Sequence, residues 1–454
     1  MASSDRPSHK LARTLRERDL LLLFIGSVIG SGIFLTPGLI LRQLGGSVGY
    51  SLLVWLVGGV LSLLGALTYA ELSAANPEAG GLYCYIRDGF GRLPAFLYGW
   101  SLLLVISSAS IAALAHAFTA HLQEIIPLSH VGEQLIAILM IAVVTVINVW
   151  GTRKSSDVQN VTTIIKVGII VVLGSILLAL GLTRGHHAAE LPAAMGSSKT
   201  GVALASAFAF AMIPVLWAYE GWQFGTYSAG EVENPQKSFP RAFFTGSVLL
   251  VGLYLFAVIA YLVALGPKEA TASNTIAAEA ATTVLGPWAG MLVASTILVS
   301  TFSSTNSIML TAPRVFFAMA NDKLFFKQLA EVHPRFGTPA FAIVVLGVWS
   351  CILALAGGFE WLTSGVVLIG WIFYGLGAAA IFPIRAANRS KALPYRVPGY
   401  PLTPLLFVAA AAAIVGNAIY RAFAGPKEFL YLLVAIGIML LGLPGYFFWS
   451  RRRQ

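Results

Sequence analysis

Charge is what this sequence has least of. Only 11% of its 454 residues are Asp, Glu, Lys or Arg, against roughly 25% in an ordinary soluble domain. A water-facing surface for a chain of this size cannot be built from that supply. Cysteine is equally scarce: Cys84 and Cys351 both sit in or beside apolar stretches. Two such thiols exclude a disulfide framework and a four-ligand zinc site, and they read as inert core residues. His, Asp, Glu and Cys nowhere gather as metal ligands, nor as a nucleophile beside its base. An enzyme is therefore not expected, and neither is a cofactor or metal. The 29 Lys and Arg exceed the 19 Asp and Glu to give +10. In a soluble protein that balance would suggest nucleic acid. Here 57% hydrophobic residues and a mean hydropathy of +0.80 make the lipid bilayer the partner and exclude nucleic acid.

What is present is a series of long apolar runs. A bilayer core about 30 Å thick needs roughly 20 apolar residues per helix, and lipid offers an open backbone no hydrogen-bond partner. Twelve runs qualify, near 19–42, 47–73, 94–123, 132–151, 158–182, 201–229, 241–265, 286–319, 338–358, 362–386, 401–423 and 428–449. Their ends are read to about 2–4 residues. The first is too long, and too closely followed by the second, to be a cleaved signal peptide. Cytoplasmic loops carry an excess of Lys and Arg. With both termini on one side, that side holds 22 of the 29 basic residues, the other holds six, and Lys166 lies inside the membrane. Both termini are expected in the cytoplasm.

Two of the runs do not read as continuous helices. In the first, Gly26-Ser27-Val28-Ile29-Gly30-Ser31-Gly32-Ile33-Phe34 places three glycines and two serines at mid-membrane depth. Each Gly costs about 1 kcal/mol relative to Ala inside a helix. In the sixth, Pro214 removes a backbone donor, and Trp217-Ala218-Tyr219-Glu220-Gly221-Trp222 follows with a carboxylate and a glycine. Interrupted helices at corresponding positions of two halves point to a transporter of inverted repeats with its site at the midplane. The first and sixth spans correspond in a five-plus-five repeat. A half-helix N-terminus suits a carboxylate, and freed carbonyls suit an ammonium. An α-amino acid carries both on one carbon. Gly26 and Gly30 also form a G-x-x-x-G pair, which in an apolar helix is commonly a packing face.

Lys166 lies about a third of the way along the fifth run. A cation at that depth costs about 2.5–3.5 kcal/mol on insertion scales, which makes function the default reading, with snorkelling to the interface as the alternative. In a five-plus-five fold its ammonium docks on first-span carbonyls that a sodium ion would otherwise occupy. Glu220 is the deepest carboxylate. Three readings are open for it: proton coupling, contact with a substrate cation, and capping of the broken helix. Trp217 precedes the second break and reads as an aromatic lid or as ordinary packing; Trp371 stays undecided. His116 and Asn306 read as helix-to-helix bonding residues, and Glu71 as interfacial.

These residues belong to an ordered set of motifs. Gly30-Ser31-Gly32-Ile33-Phe34, the Trp217 to Trp222 stretch, Glu231-Val232-Glu233-Asn234-Pro235 with Pro240-Arg241-Ala242, Pro313-Arg314-Val315-Phe316-Phe317, His333-Pro334 with Thr338-Pro339, and Leu443-Pro444-Gly445-Tyr446 run nearly the length of the chain. The set resembles the L-type amino acid transporter family of the amino acid, polyamine and organocation superfamily. The resemblance implies an all-α membrane protein of twelve transmembrane helices, a five-plus-five inverted-repeat fold with helices one and six broken. It divides the chain into a cytoplasmic tail (1–18), a first repeat (19–182), a second repeat (201–386), two further helices (401–449) and a short cytoplasmic tail (450–454). It implies sodium-independent exchange of L-amino acids by alternating access. The substrate carboxylate is expected on the N–H groups of Ser31 and Gly32, beside Gly30. The amine is expected on the carbonyls of Val28, Trp217 and Glu220, in the stretch that includes Ala218. Trp217 is the implied lid and Lys166 the sodium substitute. Animal members link a glycoprotein heavy chain through a cysteine between spans three and four; residues 121–133 contain none. A protein that works without that partner in a prokaryotic plasma membrane is therefore expected. A proton-coupled symporter and a non-transporting amino acid sensor are the alternatives.

Overall fold

Many polar side chains point inward, among an apolar core, while branched apolar ones cover the outside. That inversion of the soluble pattern organises the computed structural model, which describes residues 11–184, 191–192, 194–196, 199–356, 359–388, 392–423 and 425–451. The Thr152–Arg184 helix shows it most clearly. Ser155, Gln159, Thr163 and Lys166, at helical spacing, are fully or almost fully buried, whereas Val161, Ile164, Ile165 and Val172 are exposed. A helix that buries its hydroxyls and ammonium and exposes its branched apolar side chains is solvated by lipid. The Trp288–Thr311 helix likewise buries Ser300, Thr301, Ser303, Ser304, Thr305, Asn306 and Ser307.

All regular elements among the described residues are helical, apart from an isolated parallel bridge between Leu15 and Val232. Ten helices are long and apolar enough to cross a membrane. A further pair, Glu17–Val28 and Gly32–Gln43, is bent by 45° across a three-residue break. The run expected at 338–358 is a shorter helix, Ala340–Ala356. Between the expected runs stand extra short helices: Leu82–Phe90 with a buried face, and Ile276–Leu285. Leu82–Phe90 holds Cys84, whose thiol is pushed well up by burial and is therefore unreactive.

One end of the bundle is tied by buried ion pairs. Arg314, fully buried, donates from Nε to Glu231 Oε2 at 2.6 Å and from Nη2 to Glu231 Oε1 at 3.0 Å and Thr152 Oγ1 at 2.7 Å. Arg153 reaches Asp19 at 2.6 Å. Glu71, expected at the interface with water, is only 2% exposed. Arg385 grips both its oxygens, at 2.6 and 2.5 Å, and the Val397 N–H donates to it as well. A carboxylate held by a guanidinium fork no longer needs water. Asn306 joins Asn148, Ser155 and Gln159 of two neighbouring helices, a scaffold role. Trp371 is buried against Tyr374 and Phe407.

Candidate functional site

The first break falls where the glycines placed it. The Glu17–Val28 helix stops at Val28, and a new helix starts at Gly32. A helix start leaves its first N–H groups without intrahelical acceptors. Here neither the Ser31 nor the Gly32 N–H meets an acceptor among the described residues. The carbonyls of the preceding end are taken by side chains from three other helices. Lys166 Nζ donates to Gly26 O and Ile29 O, both at 2.6 Å. Ser300 Oγ donates to Ile29 O at 2.8 Å and lies 3.1 Å from Gly30 O. Tyr254 Oη lies 3.1 Å from Val28 O.

The second break lies one turn past Pro214, which the Gly201–Ala218 helix accommodates in its interior. The chain then turns through Tyr219 to Gln223 and resumes a short helix at Phe224. Tyr254 Oη is also 3.0 Å from Ala218 O, so one hydroxyl stands between the open carbonyls of both breaks. Having a single proton, it satisfies one of them at a time. The two breaks touch directly. Gly221 has φ 122°, and a Cβ there would stand 2.6 Å from the Ser27 carbonyl oxygen. Only glycine combines that dihedral with that approach. Gly221→Ala therefore forces a left-handed conformation costing about 1–3 kcal/mol and pushes the breaks apart. Transport by this variant in proteoliposomes is expected to fall at least about tenfold; retention of wild-type rates would mean the contact is dispensable.

A cavity of about 100 Å³ opens between the breaks. One water needs about 10–15 Å³ on that measure, so the space suits a small ligand. Ser27, Val28, Gly30, Ser31 and Gly32 line one wall and Trp217, Ala218, Glu220, Gly221 and Phe224 another. Ser110, Ala113, Leu114, Ala117, Ser304, Ile308 and Val366 complete it. All the residues singled out from the sequence as ligand-contacting thus face one cavity, and Lys166 sits behind it. Glu220 Oε1 accepts a hydrogen bond from Tyr374 Oη at 2.9 Å. The two readings of the Gly26/Gly30 pair divide between its members. A Cβ on Gly26 would collide with Thr163 and Gln159, whereas one on Gly30 would meet only Ser304 Oγ at 3.9 Å.

Sequence reasoning missed Tyr254, Tyr374, Ser300 and Ser304. Hydroxyl residues inside apolar helices were visible, but nothing in their spacing tells which of many such residues faces a break 36 or more positions away. The wall from Ser110 to Ala117 was equally silent, being small and apolar like every packing face.

A twofold-interrupted helical bundle enclosing a small cavity, with free N–H groups on one side and carbonyls held only by side chains on the other, fits a membrane permease for a small zwitterion. The comparison with known proteins agrees: the amino acid permease family model matches residues 15–441, and the chain belongs to that family, within the amino acid, polyamine and organocation superfamily. The serine/threonine exchanger SteT of Bacillus subtilis (strain 168) is 32% identical, covering 95% of this chain and 96% of its own length. The large neutral amino acids transporter small subunit 2 of Mus musculus is 31% identical over 95% of this chain and 80% of its own. The human cystine/glutamate transporter is 30% identical over 94% and 83%. These relatives are transporters, not enzymes.

Proposed function

We propose that this permease is a sodium-independent exchanger of small neutral L-amino acids that works by alternating access. The observation that carries the reading is the docking of Lys166 on the Gly26 and Ile29 carbonyls. A sodium ion at this place would need those same oxygens, and the ammonium already saturates them. The substrate carboxylate is assigned to the Ser31 and Gly32 N–H groups, with Gly30 leaving room for it. The amine is assigned to the carbonyls of Val28 and Ala218, where it displaces Tyr254, and to those of Trp217 and Glu220. Trp217 serves as the lid. Glu220, held by Tyr374, caps the second break and faces the substrate.

The size of the cavity and its apolar far wall support a small uncharged side chain, in keeping with a serine/threonine exchanger among the relatives. Counting the bent pair and Ala340–Ala356 as spans brings the total to twelve. That count supports two inverted repeats over 19–182 and 201–386, followed by two further helices. An even count supports both termini lying on one side, and the excess of Lys and Arg there supports that side being the cytoplasm. No disulfide-linked heavy chain enters this reading, because Cys84 is buried and residues 121–133 carry no cysteine.

Counterflow in proteoliposomes tests the reading. Labelled serine or threonine is expected to accumulate against trapped unlabelled substrate at equal rates in sodium and choline buffers and without response to an imposed pH gradient. Binding without counterflow would identify a sensor. Uptake driven by the pH gradient and lost in Glu220→Gln would identify a proton symporter.

A further inference from the structure

On the face of the bundle that bears the buried ion pairs, Arg13, Thr14, Arg16, Arg18, Arg153, Asp157 and Glu233 line a cleft of about 470 Å³ remote from the substrate cavity. Arg13 and Arg16 come from the arm that leads into the first helix, Arg18 from that helix's first turn, and Arg153 from the start of the Thr152–Arg184 helix. The charges do not cancel. Asp19 beneath the cleft is already filled: it accepts from Arg153 at 2.6 and 3.2 Å, from Asn160 at 2.7 Å and from the Arg16 N–H at 2.9 Å. Arg18 approaches it only to 3.7 Å. Asp157 is engaged by Arg153. Arg13 and Arg16 form no ion pair with any described carboxylate, and of the two carboxylates lining the cleft, Asp157 is taken by Arg153, leaving Glu233. In the same cleft the Thr14 hydroxyl is cut off from solvent and has no hydrogen-bond partner. With that hydroxyl sealed beneath it, the cleft presents three exposed, under-neutralised guanidinium groups, a donor set for a phosphate-class anion, which takes forked bonds from arginine.

The arm itself is a closed latch. Thr14 N and Leu15 N both donate to Glu231 O at 2.9 Å, and Glu233 N donates to Leu15 O at 2.7 Å. This seals the end of the broken first helix against the segment that follows the second break. We propose that the cleft binds the phosphate of an anionic lipid headgroup, and that the bound phosphate bridges the arm to Arg153 and holds the latch shut. The site goes beyond the transport reading and is independent of which amino acid is carried. A ligand that prefers the latched form shifts the population toward it, so anionic lipid slows exchange and stabilises the protein.

The test uses the full chain in vesicles of phosphatidylcholine alone, phosphatidylcholine with phosphatidylglycerol, and phosphatidylcholine with inorganic phosphate on both sides. Thermal stability is read alongside exchange, so that a loss of transport activity does not obscure binding. Phosphatidylglycerol is expected to slow wild-type exchange roughly two- to fivefold and to raise Tm, with both effects weakening at high salt. The variant Arg13→Gln/Arg16→Gln/Arg18→Gln is expected to exchange normally in phosphatidylcholine and to lose both responses. Arg13→Gln alone, a single change on the exposed arm, loses part of them. The control Lys154→Gln/Lys237→Gln, which removes charge from the same face outside the cleft, keeps them. A response to inorganic phosphate that only the arginine variants lose upholds the site and names the free anion as its occupant. Equal responses in wild type and arginine variants, loss of response in the lysine control, or no response to either probe overturns the proposal.

Discussion

Lys166→Ala is expected to lower exchange at least about tenfold and to lower Tm, while the protein still inserts. The ammonium is fully buried and is bonded at 2.6 Å to two carbonyls exposed by the first break. Removing it leaves Gly26 O without a side-chain donor and Ile29 O dependent on Ser300 and Ser304. An unsatisfied buried acceptor costs about 1–3 kcal/mol. The break then loses the support that holds the Ser31 and Gly32 N–H groups toward the cavity. Since each 1.4 kcal/mol is a factor of ten, a loss below about twofold would show that the ammonium does not set the geometry. The variant also leaves room for a cation. Partial recovery of exchange by sodium in Lys166→Ala, absent in wild type, is the signature that the lysine stands in for that ion.

The second large effect lies away from the cavity. Arg314→Met is expected to destabilise the protein by about 3–5 kcal/mol, because the Glu231 carboxylate, 1% exposed, is left as an unpaired buried charge. Arg314→Met/Glu231→Met removes both charges and is expected to recover much of that loss, since an apolar pair of similar volume replaces a buried ion pair at little cost. Thermal unfolding in detergent reads both. A double variant no more stable than Arg314→Met would mean that packing, not the unpaired charge, sets the penalty.

The same pair shows how much of this molecule its sequence discloses. Glu231 and Arg314 belong to two motifs, Glu231-Val232-Glu233-Asn234-Pro235 and Pro313-Arg314-Val315-Phe316-Phe317, that carry the family resemblance without any visible link across 83 positions. The structure makes them partners. Asn234, at φ 48°, and Pro235 meanwhile open the long Pro235–Leu265 helix. The breaks were legible because glycine, proline and a carboxylate in the middle of apolar runs contradict a continuous lipid-exposed helix. Lys166 was legible because its burial demands acceptors. Tyr254 was not, for a tyrosine in an apolar helix is common and its bridging position depends on how three helices cross. Pro214 was a less direct sign than its chemistry suggests: the helix absorbs it and yields only after Ala218. Glu71 misled through its place near a helix end, where depth in the bilayer is set by the unseen partner Arg385.

In the proposed reading, backbone groups freed at two adjoining breaks hold both ends of one zwitterion. Competition against labelled serine by serine, its methyl ester and 3-hydroxypropanoate tests this most directly, since each analogue removes one charged end and keeps the side chain's hydroxyl. Serine is expected to compete fully, and both analogues to lose at least about a hundredfold in affinity, at roughly 1.4 kcal/mol per factor of ten. An ester or a deaminated acid that competes within a few-fold of serine would contradict the account.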